Sequence, residues 1–213
     1  MTNPDDDPAS RSRRPRLSDE ERVGQLTAAA QVVFAAKGYG ESTMEDIARE
    51  AGMAKKTLYR FFATKGAVLS ALLECKNPAG KGPDLSEHGA DGESRLTAHL
   101  SDIMNVVFSP SNVTLLRALI GDAHIEPEGS DAFARTILEP GPLDLIRLLE
   151  FIAERECWQI ADPREAADQL LALAFGGLHF RLLFSDRFRS EIPAAKARLP
   201  RIVATFARMY RRG

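Results

Sequence analysis

The sequence predicts an all-α protein, and three observations carry that prediction. Apolar residues recur at three- and four-residue spacings along most of the chain. No stretch alternates with the two-residue period of a strand. Ser, Thr, Gly and Pro stand where helices would begin and end. The expected layout is a three-helix unit followed by a larger helical one, about nine to ten helices in all.

Taken in order, residues 1–17 hold three Asp, then Arg11, Arg13, Arg14 and Arg16, with few apolar groups, and read as a disordered basic arm. Ser18 and Glu21 have capping-box spacing ahead of Leu26, Ala30, Val33 and Phe34, so a first helix is expected until Gly38 and Gly40 stop it. Thr43 can cap a short second helix containing Ile47, Ala48 and Ala51, ended by Gly52. A third is expected from about Lys55 to Phe62, and Thr64 is placed to cap a fourth through Leu69, Leu72 and Leu73. The stretch 77–94, "NPAGKGPDLSEHGADGES", is rich in Gly, Pro and Ser and reads as a flexible loop. Beyond it, helices are expected over about 95–108, 113–125, 131–138, 143–157 and 163–186, and a last one over about 193–212 in which Pro200 imposes a kink or marks the start.

Charge and composition narrow the function classes. The 213 residues are 44% hydrophobic and 27% charged, the range of an ordinary globular protein, with a formal net charge of −2. The charge is unevenly spread. Residues 11–65 hold 11 Lys/Arg against 7 Asp/Glu, whereas the rest of the chain is mildly acidic. Cys75 and Cys157 do not make a disulfide framework, and no apolar run reaches the roughly 20 residues that cross a bilayer. With no signal-like N-terminus, a cytoplasmic protein without membrane contact is expected. Four histidines without an i, i+4 pair give no metal site, and the chain shows neither a nucleophile elbow nor a phosphate-cradling glycine loop. Neither catalytic residues nor a cofactor are expected.

"GMAKKTLYRFF", residues 52–62, sets two lysines, a threonine and a tyrosine ahead of a Phe pair. Ile47, Ala48, Ala51, Met53, Leu58 and Phe61 fall where a helix-turn-helix needs apolar or small groups, and Gly52 frees the backbone for the turn. In such a unit the second helix enters the major groove with its N-terminal side chains nearest the bases. Those side chains are Lys55, Lys56, Thr57 and Tyr59, suited to guanine edges, thymine methyls and phosphates. Residues 18–63 are thus expected to form a DNA-binding domain for double-stranded DNA.

The segment Ser42–Leu69, "STMEDIAREAGMAKKTLYRFFATKGAVL", resembles the DNA-binding segment of TetR-family transcriptional regulators through its IA-x-x-AG and TLY-x-x-F elements. "PREAADQLLALAFGGLHFRLLF" is similar to the C-terminal domain of AefR-like members. The resemblance implies phosphate contacts from Thr43 and Lys65, a homodimer on a palindromic operator, and a small-molecule effector bound in the helical domain 64–213. It also exposes departures from the family pattern. Ala54 replaces a common capping Ser, Lys56 a Gly, and Gly66 a Glu, and the 77–94 loop is longer than usual.

The resemblance further implies dimerisation through the last two helices, here 163–186 and 193–212. Two apolar stripes on the first of these agree: Leu171, Phe175, Leu178 and Leu182, then Leu170, Leu173, Phe180 and Phe184. Candidate effector contacts are Met104, Phe108, His124, Phe133, Leu148, Phe151, Trp158, Phe175 and His179. Their chemistry suits an apolar or aromatic ligand with one or two polar groups. The leading expectation is a repressor released from its operator by such a ligand. The alternative is a DNA-located adaptor that acts through protein–protein contacts.

Overall fold

The computed structural model describes residues 17–76 and 91–211, and it is all-helical with no strand among them. The expectations for the basic arm over 1–16 and for the loop over 77–90 lie outside the described residues. The helices are α1 (Asp19–Lys37), α2 (Met44–Glu50), α3 (Lys55–Phe61), α4 (Lys65–Lys76), α5 (Gly92–Val107), α6 (Pro110–Asp122), α7 (Glu128–Phe133), α8 (Leu143–Glu156), α9 (Pro163–Phe184), α10 (Ile192–Ala197) and α11 (Leu199–Tyr210). α7 runs on into a π-helical turn, Ala134–Leu138, and a 3-10 turn, Asp186–Glu191, follows α9.

The N-terminal helices start where their caps dictate. Ser18 and Glu21 form a reciprocal capping box at α1, with the Ser18 amide donating to Glu21 Oε2 at 2.6 Å. At α2 the Asp46 amide donates to Thr43 Oγ1 at 3.1 Å, and Asp46 Oδ2 accepts from the Thr43 amide and hydroxyl. Two free helix N–H groups are satisfied this way at each start. α3 differs: Ala54 supplies no side-chain cap. Only the backbone carbonyl of Ala54, which accepts from Thr57 and Leu58, opens that helix. Gly52, at φ +64, makes the turn before it in a region that costs a side chain about 1–2 kcal/mol.

Two apolar clusters organise the chain. One joins α1–α4 through Leu26, Phe34, Ile47, Leu58 and Leu69, and reaches into α6 and α7 through Leu115, Leu119 and Ala132. The other joins α5, α8, α9 and α11 through Leu96, Met104, Leu149, Leu170, Leu178 and Phe206. α6 touches both, since Val113 lies in the second cluster and Leu115 in the first.

Three expectations change. α5 begins at Gly92 rather than Arg95, so 91–94 is not loop. Asp91 caps the helix, and the Gly92 amide donates to Glu156 Oε1 of α8 at 2.5 Å. The single last helix expected over about 193–212 is divided into α10 and α11, with Pro200 in the first turn of α11, where its missing N–H costs no hydrogen bond. α9 is broken at Gly176 (φ +41, ψ −141), and Leu170 faces the core rather than the outer stripe.

Asp46 gives this region a pH dependence. Its carboxylate accepts from Lys37 at 2.7 Å and from Thr43, and these bonds hold its pKa well below the usual carboxylate range. A carboxyl lowered by folding stabilises the native state above its unfolded pKa of about 3.9 and loses that contribution as pH falls towards the folded value. Thermal melts of wild type and Asp46→Asn should therefore differ at pH 7 and converge as the solution is made acidic. A gap that stays constant down to pH 3 would contradict this role.

Candidate DNA-binding face and effector cavity

α3 is held from beneath and bare above. Leu58 is fully buried against the N-terminal cluster and Phe62 lies beside it, while Lys55, Lys56, Tyr59 and Arg60 are exposed. Thr57 is half-buried and Thr43, at the start of α2, is exposed. Lys55 pairs with Glu45 of α2 and stands 5.8 Å from the Tyr59 ring centre. The Glu45 carboxylate raises the pKa of Lys55, keeping it cationic. Both partners of this pair are exposed, so it contributes little to stability and can give way to a phosphate. Arg60, absent from the sequence-based set, bonds Asp19 of α1 at 2.9 Å and thereby ties α3 to α1.

Lys65 stands apart from the other members of the DNA-contact set. Its side chain is only 13% exposed and turns inward. The ammonium donates to the carbonyls of Tyr39 (2.7 Å), Gly40 (3.2 Å) and Ser42 (3.2 Å), pairs with Glu126 at 2.9 Å, and lies 4.3 Å above the Tyr39 ring. The turn between α1 and α2 points three carbonyls inward, and a cation is the group that satisfies them together. Position at a helix start suggested a phosphate contact, whereas the surrounding carbonyls use the charge internally.

The same turn is gripped from α6 and α7. The Gly40 amide donates to Asp122 Oδ2 at 2.8 Å. Tyr39 is fully buried, and burial, with Glu128 and Glu126 nearby, pushes its phenol upward from its ordinary pKa. A Cβ at Gly129 would stand 2.7 Å from the Tyr39 ring, so α7 packs on the tyrosine at its glycine. A Cβ at Gly66 would stand 2.5 Å from Glu128 Oε1. That accounts for glycine in place of the family's glutamate: a second carboxylate there would face Glu128 directly.

A cavity of about 350 Å³ opens among α4–α9. Its apolar wall includes Leu73, Ile103, Val106, Leu116, Ile137, Leu145 and Leu171, and its polar members are His99, Asn112, Asp144, Asp168 and His179. Of the nine sequence-based candidates, Phe133, Phe175 and His179 line it. The other six do not. Met104 and Leu148 are interior to the second cluster. Phe108 packs edge-on behind Phe175 at 5.6 Å and 6.1 Å from His179, a backing role. Phe151 lies near the guanidinium groups of Arg95 and Arg155, and Trp158 lies under Arg211. His124 is exposed in the turn after α6.

His99 and Asp144 were missed, although a signal was present. Asp144 precedes Leu148 and Ile152 at i+4 and i+8, which places an acid on the apolar face of α8. His99 sits likewise one turn before Ile103 on α5. Burial raises the pKa of Asp144 against the opposing effect of His99 and Arg147, and burial lowers the pKa of both histidines.

A turn-mounted helix bare on one side, carried by a helical body with a lined cavity, defines a DNA-binding regulator of the helix-turn-helix class. Residues 26–72 match the family described as bacterial regulatory proteins, tetR family, and residues 94–212 match the AefR-like transcriptional repressor, C-terminal domain. The chain belongs to the TetR family of DNA-binding transcriptional regulators. It is 43% identical over 68 residues to the HTH-type transcriptional activator FasR of Mycolicibacterium smegmatis, an alignment covering 32% of this chain and 31% of FasR. It is 24% identical over 176 residues to the uncharacterized HTH-type regulator YdeS of Bacillus subtilis, covering 82% and 84% of the two chains. Among solved structures, a TetR-family regulator from Mesorhizobium loti superposes with a TM-score of 0.75 at 20% identity, covering 92% of this chain and 99% of that one.

Replacing Lys65 by Met keeps the stem but leaves three carbonyls and Glu126 without their cation. The variant should lose on the order of 3 kcal/mol of unfolding free energy in urea titrations. A loss below about 0.5 kcal/mol would mark Lys65 as an ordinary surface lysine.

Proposed function

We propose that the protein is a homodimeric repressor that leaves a palindromic operator when a small, largely apolar effector fills the cavity. The observation that carries this reading is the segment 122–138. At one end Asp122, Glu126 and Gly129 hold the turn that leads into α2. At the other, Phe133, Ile137 and Leu138 wall the cavity. A ligand that displaces this wall acts on the support of the DNA-binding head within one short segment of chain. A coupling of about 1–3 kcal/mol through such a segment corresponds to roughly 5–150-fold weaker operator binding.

Dimerisation through α9 and α11 is supported by apolar groups left in water. Phe180 is 64% and Phe184 74% exposed, their rings 4.9 Å apart, with Leu173 further along α9 and Met209 on α11 also exposed. A Cβ at Gly176 or Gly177 would meet nothing within 4 Å, so this glycine pair leaves room for a helix from a second chain. Two copies would set their α3 helices about 34 Å apart, in successive major grooves. Repression rather than activation is favoured by the AefR-like match over the larger part of the chain. The cavity favours ligand release over the adaptor alternative.

The DNA contacts we assign are Lys55, Lys56, Thr57 and Tyr59 on α3 and Thr43 at α2. Selection from a random duplex library, at roughly physiological salt so that non-specific phosphate attraction is damped, should enrich a two-fold-symmetric site. Lys55→Ala/Lys56→Ala/Tyr59→Ala should bind that site at least about 100-fold more weakly, given about 1–3 kcal/mol per specific contact. Recovery of no motif by folded protein, or undiminished binding by the triple variant, would overturn the assignment.

Charging the outer face tests the dimer separately. Phe180→Glu/Phe184→Glu should sediment as a monomer and keep its helical content. If it remains dimeric, the interface lies elsewhere.

A further inference from the structure

The cavity has a polar minority of unusual composition. Asp144 is 4% exposed, and neither of its carboxylate oxygens accepts a hydrogen bond from the protein. The nearest cation, Arg147 of its own helix, stands 3.9 Å from Oδ1, beyond hydrogen-bonding distance, with its own side chain largely in solvent. Nε2 of His99 and Nε2 of His179 are also buried without a partner. The remaining acid, Asp168, lines the cavity from an exposed position on α9. Among the described residues that line the cavity, none is Lys or Arg.

A buried carboxylate without donors is costly, and natural folds tolerate one where something outside the protein supplies the missing donors. Here the unsatisfied oxygens border a cavity whose other walls are apolar or aromatic. Burial keeps the two histidines in their neutral form, in which one ring nitrogen accepts. The site therefore presents acceptors and negative charge and has no cation with which to receive an anion.

We propose that the effector is an apolar or aromatic molecule carrying one cationic nitrogen, an ammonium or amidinium, that docks on the Asp144 carboxylate with His99 and His179 as further acceptors. The inference rests on reading the cavity as the effector site, and it assigns that effector a charge. A carboxylate-bearing ligand of the same shape would be repelled by Asp144 and Asp168 and would meet no compensating cation among the described residues that line the cavity. A neutral alcohol would be accepted more weakly, through one donated hydrogen bond.

The test uses three fluorescent probes with one apolar body: naphthylbutylamine, naphthylbutanol and naphthylbutanoate, titrated into the full chain at neutral pH. The amine should bind tightest, at least about 10-fold tighter than the carboxylate, since like-charge juxtaposition in a buried site is strongly unfavourable. Asp144→Asn, which keeps the shape and removes the charge, should abolish the amine's advantage over the alcohol and leave the alcohol's affinity unchanged. The carboxylate binding as tightly as the amine would overturn the proposal, as would an amine preference that survives in Asp144→Asn. If that variant does not fold, the order of the three probes on the wild type decides. Failure of all three probes to bind would overturn the effector-site reading itself and this inference with it. Binding in the reverse order would leave that reading standing and remove only the charge assignment.

Discussion

The arrangement depends on one ammonium group. The turn between α1 and α2 brings the carbonyls of Tyr39, Gly40 and Ser42 to a common point, and Lys65 answers all three while pairing with Glu126. A surface ion pair would be dispensable, but this side chain is only 13% exposed and its ammonium answers three carbonyls and a carboxylate together. Through it, the first turn of α4 fixes the entrance to α2, and α2 in turn supports α3. The position of α3 therefore follows from a contact several residues away from its exposed face.

That contact also brings the two parts of the molecule together. Glu126 and Asp122 belong to the end of α6 and the loop after it, and α7 seats Gly129 on Tyr39. Immediately afterwards the chain takes a π-helical turn whose side chains border the cavity. Close-packed interiors resist gradual deformation, and this segment is packed at both ends. α6 joins the two parts as well, since it contributes apolar side chains to both clusters. The head and the helical body thus share walls instead of meeting across a linker.

The same logic explains where stability has been given up. Asp144 occupies a position on the apolar face of α8 that a leucine would fill, and exposed Phe180 and Phe184 place aromatic area in water. Both features weigh against the isolated folded chain and both acquire a reason when a ligand or a second chain is present. Local rules are broken at these two places and obeyed at the capping boxes and in the cores, the distribution expected where function competes with folding.

Much of this was legible without coordinates. The helical period, the capping box at Ser18 and the cap at Thr43, Gly52 as the turn residue, and Lys55, Lys56 and Tyr59 on the bare side of α3 all follow from local chemistry, because capping and periodicity act over three or four residues. What tertiary structure alone decided lies at longer range. Lys65 turned inward because carbonyls some 25 residues away needed a donor. A side chain at Gly66 would meet Glu128 of a different helix, and α5 begins early, where Glu156 reaches its first amide. Nor could spacing separate cavity wall from core: Met104 and Phe108 share a helical stripe with residues that line the void, and only the packing of α5 against α8 and α9 determines which side chains border empty space.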